Sequence, residues 1–156
     1  NNDSLQYVHN EIGFNYRLTN IQAAVGVAQL EKLDDFVFKK NQINNYYKSE
    51  LKSIDALKIN PSPEYSSNNH WMTSIFLKNT FDEKLRDSIM NKLGEIGIQT
   101  RPMWHLCHLQ KPYIKKQSYK IENALDIQMK TINVPSSTGI SEEQLSEVVL
   151  KLKHLL

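Results

Sequence analysis

Three polar side chains near the start of the chain have the chemistry of an anion-binding site. Asn15, Tyr16 and Arg17 carry amide, phenol and guanidinium groups, and such groups bind anions such as phosphate. They stand just before a predicted helix, because Thr19 and Gln22 have the spacing of a capping box, which covers the free N–H groups at a helix start. Considered alone, these residues fit a solvated capping turn more often than an anion site.

A second group of residues has the types found in metal sites. His105, Cys107 and His108 lie close together, but a structural zinc site needs four ligands, and the sequence has no second cysteine or paired histidines to complete one. Neighbouring residues of an extended loop also point apart, so we predict no metal site. The aromatic residues on either side of this group, Trp104 and Tyr113, fit plain core or interface residues.

The helix that begins at Thr19 is predicted to reach about Leu51, because helical spacing continues and neither Gly nor Pro follows Gly26. A bend at Gly26 or a break within residues 39–45 is the alternative. Residues 23–28 read Ala-Ala-Val-Gly-Val-Ala, which is apolar on every side of a helix. Such a helix must be covered on all sides, so we expect it to contact another domain or a second subunit.

Hydrophobic periodicity predicts one small sheet with helices packed on it. The strand at 70–77 is expected to be central, with Trp71, Thr73, Ile75 and Leu77 on one face. A helix capped by Thr80 and Glu83 follows and ends before Gly97; its predicted inner positions are Leu85, Ile89, Leu93 and Ile96. The other predicted elements are strands at 56–60, 98–101 and 132–134 and helices at 118–130 and after Ser141, where Gln144 completes a capping box. The order indicates an α+β fold.

Composition limits the classes of protein that fit. The 156 residues are 40% apolar and 23% charged, which is enough for one core. A net charge of +2, with both signs interspersed, gives no basic face, so we expect no nucleic-acid partner. No apolar run approaches the roughly 20 residues of a membrane span. A single cysteine suits the cytoplasm, and a start at Asn1 without Met suggests a piece of a longer protein.

Three stretches of the chain resemble the DegT/DnrJ/EryC1/StrS family of pyridoxal-phosphate sugar aminotransferases. They are Gly-Phe-Asn-Tyr-Arg-Leu-Thr-Asn-Ile-Gln-Ala-Ala-Val-Gly-Val-Ala-Gln-Leu at 13–30, Gly-Ile-Gln-Thr-Arg-Pro-Met-Trp-His-Leu-Cys-His at 97–108 with Tyr113 beyond it, and Asn-Val-Pro-Ser-Ser-Thr-Gly-Ile-Ser-Glu-Glu-Gln at 133–144. They occur in the family's order and correspond to the C-terminal part of such an enzyme. The second stretch departs from the common pattern, since Leu-Cys-His stands where Pro-Leu-His is usual.

The resemblance implies the small C-terminal domain of a fold-type I aminotransferase, with a small, mainly antiparallel sheet preceded by a long helix. It divides the chain into a lead-in and cofactor-phosphate turn at 1–18, an interface helix at 19–52 and the small α+β domain at 53–156. Asn15 would reach the cofactor phosphate of the partner subunit, and Arg17 would support the same region. The resemblance further places four residues at the substrate pocket: Arg101, Trp104, His108 and Tyr113.

The activity implied by the resemblance is transfer of an amino group, with glutamate as the expected donor, to a nucleotide-linked 4-keto-6-deoxy sugar for surface-glycan synthesis. The complete protein would be a homodimer that uses pyridoxal 5'-phosphate. The wording at 100–104 and 133–137 looks closest to the branch that acts on UDP-linked N-acetyl sugars. A non-catalytic homologue with a regulatory or assembly role, or a free-standing α+β binding module, would be the alternatives.

No catalytic residue is expected within this chain. In the family, the lysine that forms the Schiff base, the acidic partner of the pyridinium nitrogen and the ring stacked on the cofactor all precede the Gly-x-Asn-x-Arg turn. Lys32, Lys39 and Lys40 lie on the first helix among charged neighbours, and we expect none to have the apolar surroundings that lower an amine's pKa. The chain alone should therefore lack transaminase activity.

Overall fold

The computed structural model describes residues 8–78 and 82–156 as five helices, four strands and connecting loops. The helices are α1 (Asn20–Leu30), α2 (Leu33–Leu51), α3 (Glu83–Glu95), α4 (Ala124–Lys130) and α5 (Glu142–Leu155). The strands are β1 (Leu57–Ile59), β2 (Thr73–Leu77), β3 (Arg101–Pro102) and β4 (Thr131–Val134). The predicted α+β class is confirmed.

The four strands form one sheet in the order β1-β2-β4-β3, and every neighbouring pair is antiparallel. Ile75 of β2 lies opposite Ile59 on one side and Ile132 on the other. Strand β2 is therefore central, as its pattern predicted. Strand β3 pairs with β4, and Arg101 lies opposite Asn133. This pairing fixes the position at which the loop after β3 begins.

One face of the sheet forms the core with α2, α3 and α5. Ile75 and Leu77 of β2 are almost fully buried, because residues two apart on a strand share a face. The buried hydrophobic side chains of the helices in this core are Ile43, Tyr47, Leu51, Ile89, Met90, Leu93, Leu145, Val148, Val149 and Leu152. Full burial of such a side chain stabilises a fold by about 1.5–3 kcal/mol relative to exposure, so this face holds the domain together.

The predicted long helix is two helices. Its start at Thr19 is confirmed, since the Thr19 hydroxyl accepts from the Gln22 N–H and the Gln22 amide oxygen accepts from the Thr19 N–H. The helix ends at Leu30, and Lys32 has φ −111 and ψ 6, outside the helical region. The Lys32 N–H bonds back to the Gln29 carbonyl at 3.2 Å, which tightens the last turn. The break lies at residues 31–32 and not at Gly26 or within 39–45.

Helix α1 has no buried residue in the described structure. Ile21 is 79% exposed and Val25 is 57% exposed. Leu30 near its end is exposed as well. A helix with this much apolar surface is normally covered, so the structure leaves α1 without the partner that its sequence requires.

The buried face of α3 differs from the predicted one at both ends. Leu85 is 40% exposed and Ile96 is 49% exposed, whereas Arg86 is 1% exposed. The guanidinium of Arg86 can be buried because it is paired: it donates to Asp87 at 2.7 Å and 2.9 Å, to Glu83 at 3.1 Å and to the Gln128 carbonyl at 3.0 Å. The polar partners of Arg86 therefore determine which side of α3 is buried, and hydrophobic periodicity does not reveal such partners.

Three other predicted boundaries are wrong. Thr80 lies outside the described residues, and Asp82 is the residue that caps α3, through its carboxylate and the Leu85 N–H. The predicted strand at 98–101 is limited to Arg101–Pro102, and the predicted helix at 118–130 begins at Ala124. Lys120 has φ 44, a left-handed conformation that a helix cannot continue through.

Replacement of Arg86 tests the buried ion pairs. We expect Arg86→Met to lower the free energy of unfolding by about 2–3 kcal/mol, because the Gln128 carbonyl loses its partner and Met supplies no donor. Chemical denaturation measures the change. Lys84→Met, at an exposed position two residues earlier on α3, should change stability by less than about 0.5 kcal/mol. Equal effects of the two variants would contradict this role for Arg86.

Candidate functional site

The segment before α1 combines an aromatic pair with two side chains of the anion-binding type. The rings of Phe14 and Tyr16 stack at a centroid distance of 5.5 Å. Asn15 lies between these two residues in the sequence, and Arg17 directly follows them. The segment therefore carries an amide and a guanidinium two residues apart, next to an aromatic pair.

The described structure leaves these donors free. Asn15 and Arg17 are exposed and have no hydrogen-bond or ion-pair partner among residues 8–78 and 82–156. The first turn of α1, just beyond them, contains no acidic side chain that would repel an anion. N–H donors of this kind suit a phosphate dianion, so the donor set fits the phosphate group of pyridoxal phosphate.

The loop after β3 carries most of the other predicted site residues. It contains a 3-10 turn at Cys107–Leu109, with His108 half-buried in it and the exposed Tyr113 beyond it. Gln110 is 5% exposed, and its side-chain oxygen accepts a hydrogen bond from the His9 N–H at 2.7 Å. The loop and the segment that leads to Asn15 are thus in direct contact.

Trp104, at the start of this loop, stacks on Trp71 with a centroid distance of 5.6 Å and an interplanar angle of 22°. Trp71 is 64% exposed and precedes β2, so its predicted place on the strand, on the same face as Ile75 and Leu77, is wrong. The cause is a turn at His70, whose φ of 48 ends the extended conformation. The Lys40 ammonium donates to the Trp71 carbonyl at 2.8 Å and to the Ser136 carbonyl at 2.5 Å, which holds this turn against α2.

The environment of Lys40 also differs from the predicted one, because burial lowers the pKa of its amine. Its two carbonyl acceptors give it a structural role in the described chain. Arg101 is half-buried on β3 and its guanidinium has no partner among the described residues, which leaves it available for an anion. Among those residues no group of three or more His, Cys, Asp or Glu could hold a metal ion.

Several buried polar side chains of α2 and of the region around β2 were missed by the sequence analysis. Asn44, His70 and Thr73 are buried, and each has a side-chain atom without a hydrogen-bond partner in the described structure. Lys40 contacts the turn at Trp71, and Tyr47, whose pKa is raised by burial, donates its hydroxyl to the Pro135 carbonyl at 2.8 Å. No sequence signal marks these side chains, because their burial depends on how separate elements pack.

Comparison with known proteins identifies the family. The model of the DegT/DnrJ/EryC1/StrS aminotransferase family matches residues 1–153. The chain belongs to this family. The resemblance seen in three stretches of the sequence is therefore confirmed over nearly the whole chain. Members of the DegT/DnrJ/EryC1/StrS family depend on pyridoxal phosphate.

Individual relatives are sugar aminotransferases. GDP-perosamine synthase of Escherichia coli O157:H7 is 38% identical over 141 residues, covering 90% of the chain and 37% of that enzyme. UDP-4-amino-4,6-dideoxy-N-acetyl-beta-L-altrosamine transaminase of Campylobacter jejuni is 24% identical over 128 residues, covering 80% of the chain and 33% of that enzyme. Among solved structures, DesI in the presence of its TDP-sugar product has a TM-score of 0.78 at 19% identity, covering 91% of the chain and 36% of DesI.

These matches show both the fold and the extent of the chain. The chain spans well under half of the length of each of these relatives, 33–37%. The expected small domain of a fold-type I aminotransferase agrees with the structural match, and its sheet is antiparallel throughout. None of the helices in the described part of this family member is long and apolar enough to cross a bilayer.

The buried His70 gives a pH-dependent prediction. Burial and, to a smaller extent, the charge of Lys48 lower the pKa of His70 below 6.5. The unfolded chain then takes up a proton near pH 6.5 that the folded chain does not, so stability falls as the pH decreases through this region. Urea midpoints at about pH 7.5 and about pH 5.5 measure this loss.

The matched variant for this test is His70→Asn, because Asn tolerates the φ of 48 and does not titrate. We expect its urea midpoint to depend less on pH than that of the wild type. Lys48→Met should also reduce the dependence, by less, because burial is the larger cause of the lowered pKa. An unchanged pH dependence in His70→Asn would show that another group titrates.

Proposed function

We propose that this chain is the C-terminal part of a pyridoxal-phosphate-dependent enzyme that moves an amino group from an amino acid to a nucleotide-linked 4-keto-6-deoxy sugar. Glutamate is the proposed donor, and surface-glycan synthesis in the cytoplasm is the proposed setting. The observation that carries the proposal is the family match over residues 1–153. Relatives whose names contain a GDP-linked and a UDP-linked sugar both match, the former at higher identity, so we leave the nucleotide open.

Asn15 and Arg17 are the proposed contacts to the cofactor. Both are exposed, unpartnered in the described chain and only two residues apart in the segment before α1. Their N–H groups would hold the phosphate of pyridoxal phosphate in the partner subunit, and they offer no competing acceptor at the contact. When bound, the cofactor supplies the carbonyl chemistry that carries an amino group between two substrates. The covalently attached lysine would lie outside this chain, so the chain alone would be inactive.

Four residues of the β3 strand and its loop are the proposed contacts to the nucleotide sugar. Arg101 supplies a guanidinium for the diphosphate, and His108 supplies a donor for a phosphate or hydroxyl oxygen. Trp104 is half-buried and stacks on Trp71, and Tyr113 is exposed at 45%, so both rings can contact a sugar. The contact between His9 and Gln110 brings this loop to the segment that carries the cofactor contacts.

The proposed assembly is a homodimer, with three parts in the chain. Residues 1–18 form the cofactor turn, residues 19–52 the interface region and residues 53–156 the small domain. Helix α1 supports this division, because none of its residues is buried by the rest of the described chain. A non-catalytic homologue remains the alternative function, and a catalytic lysine in the region that precedes Asn1 would exclude it.

Replacement of Asn15 tests the cofactor contact in the complete protein. One hydrogen bond to a charged group contributes about 1.5–3 kcal/mol, so Asn15→Ala should weaken binding of pyridoxal phosphate roughly tenfold to a hundredfold. Titration of the apoprotein, followed by the cofactor's absorbance, measures this. Asn45→Ala, at an exposed position on α2, is the control and should bind normally. Unchanged affinity in Asn15→Ala, with an intact dimer, would remove the role proposed for Asn15.

A charge placed on α1 tests the interface. We expect the 156-residue chain to self-associate through this helix at tens of micromolar, because its apolar sides are exposed. Val25→Asp places an unpaired charge there and should lower the mass measured by analytical ultracentrifugation or change the solubility. Gln29→Asp, at a polar exposed position of the same helix, is the control. A wild-type chain that is a clean monomer and behaves like Val25→Asp would refute the interface.

A further inference from the structure

Gln110 occupies the point at which two turns of the β3 loop meet. Its N–H donates to the Cys107 carbonyl at 3.1 Å, which closes the turn that contains His108. Its own carbonyl accepts from the N–H groups of Tyr113 at 2.9 Å and Ile114 at 3.0 Å, which closes the next turn. The backbone of one residue therefore fixes the positions of the His108 and Tyr113 turns relative to each other.

The side chain of Gln110 connects this loop to a distant part of the chain. Gln110 is 5% exposed although both of its sequence neighbours, Leu109 and Lys111, are exposed. Its amide oxygen accepts from the His9 N–H at 2.7 Å, a contact that spans 101 residues of sequence. A buried side-chain amide is retained in position by such a bond, because loss of its partner leaves a desolvated polar group.

The segment that Gln110 contacts has little regular structure in the described part of the chain. Residues 8–19 contain no helix or strand, and the side chains of Phe14, Tyr16 and Leu18 are largely exposed. Asn15 is six residues beyond His9, so it lies within about 20 Å of the anchored N–H even when the chain is fully extended. Movement of the anchor would therefore displace Asn15 and Arg17.

We propose that Gln110 is a positioning residue that holds the Asn15–Arg17 turn in register with the loop carrying His108 and Tyr113. The side-chain amide of Gln110 thus fixes the position of the residues that contact the cofactor phosphate relative to the residues that contact the nucleotide sugar. The inference rests on the proposed function for the roles of those four residues. Gln110 itself touches neither ligand and acts through the backbone positions that it fixes.

The test uses the complete protein and the variant Gln110→Met, which keeps the size of the side chain and removes its hydrogen bonds. Loss of one neutral hydrogen bond should raise the dissociation constant of pyridoxal phosphate about fivefold and raise KM for the nucleotide sugar by a similar factor, with a smaller change in kcat. Amide hydrogen exchange of residues 8–18 should become faster. Gln128→Met, at a second buried glutamine on α4, should leave all of these unchanged.

His9→Pro removes the donor of the same bond without altering the buried loop. His9→Pro should reproduce the loss of cofactor affinity. If Gln110→Met folds poorly, His9→Pro alone tests whether the bond between His9 and Gln110 positions the cofactor contacts. Equal hydrogen exchange and equal cofactor affinity in wild type and His9→Pro would overturn the proposal.

A double variant separates this inference from the proposed function. If Gln110 acts by placing Asn15 and Arg17, the combination Gln110→Met with Asn15→Ala should weaken cofactor binding by less than the product of the two single effects, because only the part that acts through Arg17 remains to be lost. Independent, multiplied effects would overturn the positioning role while leaving the role of Asn15 intact. If Asn15→Ala has no effect, the role proposed for Asn15 is refuted. Hydrogen exchange in Gln110→Met and His9→Pro then tests separately whether Gln110 holds residues 8–18 in place.

Discussion

Burial of strand β4 between two other strands is the constraint on which the rest of the structure depends. All four of its residues, Thr131–Val134, are buried, including the polar Asn133. Asn133 accepts from the Ser74 hydroxyl at 2.6 Å and donates to the Pro102 carbonyl at 3.1 Å, so one amide joins β2, β4 and β3. A buried amide without these partners would cost about 1–3 kcal/mol, which favours this arrangement of the three strands. The ends of β2 and β3 carry the turns of Trp71 and Trp104, whose stacking this sheet order supports.

The two faces of this sheet have different functions in the structure. One face is closed by the core helices and gives the domain its stability. The other is partly covered by α4 and leaves a groove of about 420 Å³, lined by strand residues such as Ser74 and Phe76 and by Met103 of the β3 loop. The exposed helix α1 and the free donors of Asn15 and Arg17 lie outside the core. Stability thus comes from residues that are separate from those proposed to bind ligands.

The sequence by itself determined the features that depend on residues within a turn or two of each other. The capping boxes that begin α1 and α5 form as predicted, because Thr19 and Ser141 each pair with a glutamine only three residues away. Alternation along β2 correctly placed Thr73, Ile75 and Leu77 on one face and gave the strand its central place in the sheet. The family, and with it the fold class, also followed from short ordered motifs. The proximity of Asn15 and Arg17 needed nothing more than their spacing.

Only the tertiary structure decided the features that arise from contacts between distant residues. Arg86, and not the predicted Leu85, is buried on the inner face of α3, because acidic neighbours and the Gln128 carbonyl pair with its guanidinium. Trp71 lies outside strand β2, because the turn at His70 ends the extended conformation and the Lys40 ammonium binds the Trp71 carbonyl. The bond from His9 to Gln110 joins residues 101 positions apart, and no local pattern specifies such a partner. Hydrophobic periodicity records the burial of side chains along one element, whereas these contacts depend on which polar groups the folded chain brings together.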